Sequence, residues 1–113
     1  MKAIAGIALA LVATLATAQD RPVTFSEYSA ATQAAFTHSQ RCKAEITVRG
    51  VGERCEQFFE YLDRYQGITE AFQARMESEG VGAFDGASTP SIGGHEYYEE
   101  RLTTNIHYIT EMM

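Results

Sequence analysis

Two cysteines bracket a glycine-containing turn in residues 42–55, which read CKAEITVRGVGERC. Twelve residues lie between Cys42 and Cys55, and a disulfide that closes so short a loop would stabilise the fold by about 3 kcal/mol. The β-branched residues at 46–48 and the two glycines that follow weaken a helix and favour a turn. We therefore predict a first helix that frays across this run, a turn over 49–52 and a Cys42–Cys55 disulfide. Two free thiols or a redox pair are the alternatives, although redox motifs normally have two residues between their cysteines.

Apolar residues recur at steps of three and four on both sides of this turn, which is the spacing of one helix face. The first segment begins with a capping box, in which Thr24 caps the helix and Glu27 follows three residues later. The second segment runs from Cys55 to Met76, and Gly67 in its middle predicts a kink or a close helix crossing. Both cysteines fall on the apolar faces. The pattern therefore predicts an antiparallel helical hairpin that the disulfide closes.

Residues 80–94 read GVGAFDGASTPSIGG, a composition typical of a loop. We predict a flexible Gly-rich loop here, either a mobile connector or a recognition loop, which Phe84 and Ile92 pin to the helices. A third amphipathic pattern runs from about His95 to Glu111. The predicted fold is therefore all-α: a disulfide-pinned antiparallel helical hairpin plus a third C-terminal helix, which together form a small three-helix bundle.

The first 18 residues, MKAIAGIALALVATLATA, have the composition of a cleaved signal peptide. Lys2 provides the positive charge, an apolar run follows, and Ala16 and Ala18 give the small-x-small pattern that signal peptidase cleaves. The apolar run is shorter than the roughly 20 residues that span a bilayer, and an uncleaved anchor is the alternative. We predict cleavage after Ala18 and a single helical domain over 19–113 without a stable membrane anchor. The location would be periplasmic or secreted, where disulfides persist.

The composition narrows the possible functions. The chain has 113 residues, enough for one small domain, with fifteen Asp and Glu against nine Lys and Arg and a formal net charge of −6. An acidic chain is poorly suited to nucleic acid, because phosphate contacts require basic side chains. The sequence contains neither a Gly-x-Ser-x-Gly nucleophile motif nor a Cys-x-x-Cys-His haem-attachment motif. We therefore expect no catalysis and no cofactor.

Histidine and carboxylate residues suggest one alternative function. His95 and Glu99 are four residues apart and would share a helix face, whereas His107 lies twelve residues beyond His95, too far to share an ion on one straight helix. Histidines on a polar surface face are the simpler interpretation. The alternative hypothesis is a copper- or zinc-handling accessory protein whose ligands would be His95, Glu99, His107, Met112 and Met113.

Aromatic residues suggest the main hypothesis. The sequence has six Tyr and six Phe, more than three short helices can bury well. Tyr contributes interface contact area at a small entropic cost, so we expect exposed aromatic surface for partner binding at Tyr61, Tyr65, Tyr97 and Tyr108. The chain would then be a small exported protein-binding module, such as an inhibitor of, or adaptor for, an envelope protein. Its acidic surface favours a basic partner, and self-association through the second helix, giving a homodimer, is the simplest version.

Overall fold

The computed structural model describes residues 22–113, which form three α-helices, one short 3₁₀ helix and no strand. α1 spans Phe25–Arg49, α2 spans Glu53–Glu79, the 3₁₀ helix spans Gly80–Phe84, and α3 spans Thr89–Met112. The prediction of an all-α fold with three helices is confirmed. None of the helices in this part of the chain combines the length and the apolar composition needed to cross a membrane. The predicted signal peptide lies outside the described residues.

A disulfide joins Cys42, near the end of α1, to Cys55, near the start of α2, with the two Cα atoms 4.2 Å apart. Both cysteines are fully buried. Gly50, with a φ of 83°, ends α1, and its N–H donates to the carbonyl of Ile46 at 3.3 Å. α1 reaches Arg49 without fraying, because the burial of Ile46 in the core holds the last turn in place. The disulfide-pinned hairpin is confirmed.

The start of α2 is capped by a side chain from α1. Its own N-cap residue is Gly52, which has no side chain to offer. Instead, Oε2 of Glu45 accepts the backbone N–H of Arg54 at 2.9 Å, and a negative charge at this position also suits the helix dipole. A Cβ atom on Gly52 would collide with the other carboxylate oxygen of Glu45. Glycine therefore leaves room for a cap that reaches across the turn.

The start of α3 is set by its own sequence. Ser88 is the N-cap, and its Oγ accepts the N–H of Ser91 at 3.2 Å. Pro90 lies in the first turn, where its fixed φ and missing N–H suit a helix. Together they start the helix at Thr89, despite the glycines at 93 and 94, each of which costs about 1 kcal/mol relative to Ala.

The prediction of a flexible loop over 80–94 is therefore wrong in its bounds. The third helix begins six residues before the predicted start at His95, and only residues 85–88 separate the 3₁₀ helix from it. Phe84 and Ile92 do pack against the core, as the sequence predicted. The connection between α2 and α3 is thus short and has apolar contacts to the bundle.

Contacts between the helices show which of them run parallel and which run antiparallel. α2 runs antiparallel to α1, since Tyr28 stacks on Phe72 near one end of the hairpin and the disulfide closes the other end. α1 packs extensively against both α2 and α3. α3 runs parallel to α1, because three hydrogen-bonded pairs follow in the same chain order, Tyr28–Glu99, Ser39–Asn105 and Thr47–Tyr108.

The buried residues form two clusters along the bundle. The cluster near the disulfide contains Ala35, Cys42, Ile46, Cys55, Phe58, Leu102 and Ile109. The cluster at the opposite end contains Phe25, Tyr28, Phe72 and Ala83. Between them, α2 continues through Gly67, where a Cβ atom would meet nothing within 4 Å. The close helix crossing predicted at this glycine is therefore absent.

Candidate functional site

Three polar side chains meet where α1 packs against α3. The hydroxyl of Tyr28 donates to Oε2 of Glu99 at 2.8 Å, and Nε2 of His95 lies 3.2 Å from the same oxygen. His95 and Tyr28 are both buried, with their ring centroids 4.6 Å apart. The interpretation of His95 as a surface histidine is therefore wrong. Because α3 starts earlier than predicted, His95 lies in its second turn and faces α1.

This polar contact extends to α2. The ring of Tyr65 stacks on Tyr28, and its hydroxyl shares a hydrogen bond of 2.9 Å with Oγ1 of Thr32. Burial, reinforced by the hydrogen bond to Glu99, raises the pKa of Tyr28 far above its usual range. Tyr28 therefore stays a neutral donor at physiological pH. The cluster fixes the three helices relative to one another.

The structure separates the histidines of the metal-handling hypothesis. Nε2 of His95 is directed at Glu99, whereas His107 is exposed and pairs with Glu111 at 3.1 Å. Twelve residues of helix place the two histidines roughly 18 Å apart along α3. Within residues 22–113, no three His, Cys, Asp or Glu side chains are grouped to hold a metal ion. No geometry in this region favours the metal-handling alternative.

A second polar cluster ties the end of α2 to the start of α1. The guanidinium of Arg75 donates to the carbonyl of Val23 at 2.9 Å and pairs with the carboxylates of Glu79 and Asp85. Asp85 has a left-handed backbone, with φ 56°, and its Oδ2 also accepts the N–H of Phe25 at 2.9 Å. Arg75, followed by this N–H, lowers the pKa of Asp85 to about 2. The Asp85 carboxylate therefore stays ionised and stabilises the contact between α1 and the end of α2.

A shallow groove lies beside this cluster, between the first turns of α1 and the start of α3. Its lining is mostly small or polar, comprising Thr24, Phe25, Ser26, Ser29, Ala30, Gln33, Phe84, Asp85, Ala87 and Ser91. Asp85 is the one carboxylate among them, and Arg75 already neutralises it. The groove therefore does not pair an acid with a base.

The four tyrosines predicted to form an aromatic surface have different environments. Tyr61, Tyr65 and Tyr108 are half-buried against the core cluster near the disulfide. Tyr61 packs against the ring of His38. The hydroxyl of Tyr65 is hydrogen-bonded to Thr32, and the hydroxyl of Tyr108 is hydrogen-bonded to Thr47. Tyr97 alone of the four is largely exposed, at 53%. The four residues therefore do not form one exposed surface.

Tyr97 lies on the outer side of α3 and is held by its neighbours. Its ring meets the ring of Tyr98 edge-on, with the centroids 5.4 Å apart, and Tyr98 in turn contacts Phe36 of α1. The guanidinium of Arg101 lies over the Tyr97 ring, 5.4 Å from its centroid. The contacts with Tyr98 and Arg101 thus hold the exposed ring in place.

Two exposed carboxylates lie beside this ring. Glu96 and Glu100 are four residues apart and so are neighbours on one face of α3, and Tyr97 is three residues before Glu100. Among residues 22–113, neither carboxylate forms an ion pair. We call Glu96, Tyr97, Glu100 and Arg101 the Tyr97 patch.

No protein-family model, curated protein or solved structure matches this chain. Sequence reasoning identified Tyr97 but missed Glu96 and Glu100, which lie beside it. Their spacing around an aromatic residue was a signal for this surface. The anchoring of Tyr97 through Tyr98 depends on the packing of α3 on α1, which no local pattern reveals.

Proposed function

We propose that this chain is a small, non-catalytic protein-binding module of the bacterial cell envelope, and that the Tyr97 patch is its docking surface. The observation that carries the proposal is an exposed tyrosine ring, held by its neighbours, beside two carboxylates that form no ion pair within residues 22–113. A tyrosine offers a large contact area to a partner. Because the ring is already ordered, less conformational entropy is lost on binding.

The charge distribution favours a basic partner. Outside residues 41–54, the described part of the chain has twelve acidic and three basic side chains. Glu96 and Glu100 repel each other on the same helix face, at a cost of a few tenths of a kcal/mol. A Lys or Arg of a partner would relieve that repulsion and would be attracted over a distance.

The proposed location rests on the disulfide and on the sequence of residues 1–18. A buried disulfide fits an oxidising compartment such as the periplasm. The partner would then be an envelope protein, for which this chain acts as an inhibitor or adaptor.

Site-specific photo-crosslinking in living cells tests the proposal. A photo-reactive amino acid replaces Tyr97 in one strain and Val81 in a control strain, because Val81 is also highly exposed but lies in the 3₁₀ helix, away from the patch. We expect a discrete crosslinked product at Tyr97 and none at Val81. Reversing the charge of Glu96 and Glu100 should abolish the product.

Three outcomes contradict the proposal. They are no product at Tyr97, the same product at both positions, and a product that survives charge reversal. A product of twice the chain's own mass would indicate self-association in place of an envelope partner.

A further inference from the structure

One end of the bundle differs in charge from the rest of the molecule. Residues 41–54 contain four basic and two acidic side chains, so this segment carries a surplus of two positive charges. The other described residues, 22–40 and 55–113, carry a surplus of nine negative charges, from twelve acidic and three basic side chains. The basic residues of the segment are therefore concentrated at the closed end of the hairpin.

Three arginines share a single cleft at this end. Arg41 and Arg49 of α1 and Arg54 of α2 line it, together with Val48 and Glu45. Among residues 22–113, none of the three arginines forms an ion pair. The Glu45 carboxylate is directed at the backbone of α2, whose N–H at Arg54 it accepts, and does not bridge to a guanidinium.

The same end carries exposed aliphatic side chains. Val48 is 79% exposed and Val51 is 50% exposed, one on each side of the turn residue Gly50. α3 ends here too, because it runs parallel to α1, and its Met112 and Met113 are also exposed. Four of the six large hydrophobic residues that are exposed in the described part of the chain thus lie at this one end.

We propose that this basic, aliphatic end, which we call the basic end, docks on an anionic phospholipid surface. Cationic side chains beside exposed aliphatic ones match the boundary between headgroups and acyl chains. Each Lys or Arg near an anionic membrane strengthens binding by about fivefold. A free phosphate would use the arginines but would leave the valines and methionines without a role.

The acidic remainder of the molecule does not cancel this attraction. α3 has 24 residues, so it is about 36 Å long. The Debye length at physiological ionic strength is only about 8 Å, so carboxylates at the far end are screened from the membrane. The carboxylates at this end besides Glu45 include Glu53 and Glu56 in the first turn of α2, and Glu111, which is paired with His107.

A second copy of the chain fits this end less well than a membrane. A symmetric dimer contact places the same surface on both partners, so Arg49 and Arg54 of one copy would face those of the other. Like charges placed in this way oppose association. A bilayer is therefore the better occupant of the basic end.

Vesicle co-sedimentation tests the proposal with the protein purified as the cell processes it. The vesicles contain either equal amounts of phosphatidylglycerol and phosphatidylcholine or phosphatidylcholine alone. We expect binding to the anionic vesicles that weakens with added salt, and far less binding to the neutral ones. The double variant R49Q/R54Q should lose about 25-fold in partition coefficient, at about fivefold for each charge.

Matched variants provide the controls. R64Q removes one charge from an exposed arginine in the middle of α2 and should bind anionic vesicles like the unchanged protein. R54Q removes one charge at the basic end and should weaken binding about fivefold. V48S/V51S should weaken binding severalfold, whereas V81S, at an exposed position in the 3₁₀ helix, should not. Circular dichroism confirms that each variant is folded.

Several results overturn the proposal. One is an equal loss of vesicle binding in R54Q and R64Q, and another is equal binding to neutral and anionic vesicles. Competition by millimolar inorganic phosphate at constant ionic strength would assign the cleft to a soluble anion. Absence of vesicle binding would likewise reject membrane docking by the basic end. Self-association that R49Q/R54Q abolishes would assign this end to a second copy of the chain and would also reject it.

Discussion

The carboxylate of Asp85 accepts a hydrogen bond from the backbone N–H of Phe25 at 2.9 Å, although the two residues are 60 positions apart. The connection between α2 and α3 thereby caps the start of α1. Glu45 does the same for α2 by accepting the N–H of Arg54. Two of the three helices thus depend on a carboxylate from a distant or preceding element.

The first prediction concerns the acid stability of this contact. The pKa of Asp85 is lowered from 3.8 to about 2 in the folded protein, so its ionised form stabilises the fold above about pH 4. That contribution should disappear as the pH falls from about 4 to about 2. We expect the melting temperature of the unchanged protein to exceed that of Asp85→Asn above pH 4, and the difference to shrink below it. A difference that stays constant down to pH 2 would show that the Asp85 charge does not matter.

The second prediction concerns the cap of α2. Gly52→Ala should push the Glu45 carboxylate away from Arg54 and destabilise the protein by about 1 kcal/mol, the usual cost of a lost cap. In a background of Glu45→Ala, the same substitution should cost much less, because there is no cap left to displace. Urea unfolding of the two single variants and the double variant measures this coupling. Additive effects would mean that Gly52 and Glu45 act independently.

The third prediction is a stabilising substitution. Gly67 lies within α2, is exposed and has no neighbour within 4 Å of a Cβ position. Gly67→Ala should therefore stabilise the protein by up to about 1 kcal/mol, seen as a higher urea midpoint at an unchanged slope. Gly80→Ala is the control and should destabilise, since Gly80 has a φ of 59°. A lower urea midpoint for Gly67→Ala would contradict this account, because it would mean that another residue packs closely against position 67.

The fourth prediction tests the disulfide. Replacing Cys42 and Cys55 together by Ala should reduce the free energy of unfolding by about 3 kcal/mol. For a domain of this size, that corresponds to a fall in melting temperature of more than about 10 °C. Dithiothreitol should lower the melting temperature of the unchanged protein to a similar value and leave the double variant unaffected. If the unchanged protein and the double variant had equal melting temperatures under oxidising conditions, the disulfide would not contribute to stability.

The sequence predicted those parts of the fold that depend on local patterns. The Thr24 cap, the three amphipathic segments and the pairing of Cys42 with Cys55 all follow from spacing within one or two elements. The start of α3 was misplaced because glycine content was weighted above Ser88 and Pro90. That single error also moved His95 from the core to the surface in the prediction.

The remaining features depend on contacts between distant segments. Asp85 reaches Phe25 and Arg75 reaches Val23 only after the helices have packed. The exposure of Tyr97, in contrast to Tyr65, follows from which side of its helix faces α1.

The binding affinity of the partner recovered through Tyr97 tests the proposed docking surface most directly. It is measured by calorimetry for the unchanged protein, for E96K/E100K and for E70K/E77K, which makes the same charge change on exposed positions of α2. We predict that E96K/E100K weakens binding more than tenfold while E70K/E77K stays within about threefold, because long-range attraction is largely screened and the local contacts are not. Equal weakening by both pairs, or no effect of E96K/E100K, would contradict a docking surface at Tyr97.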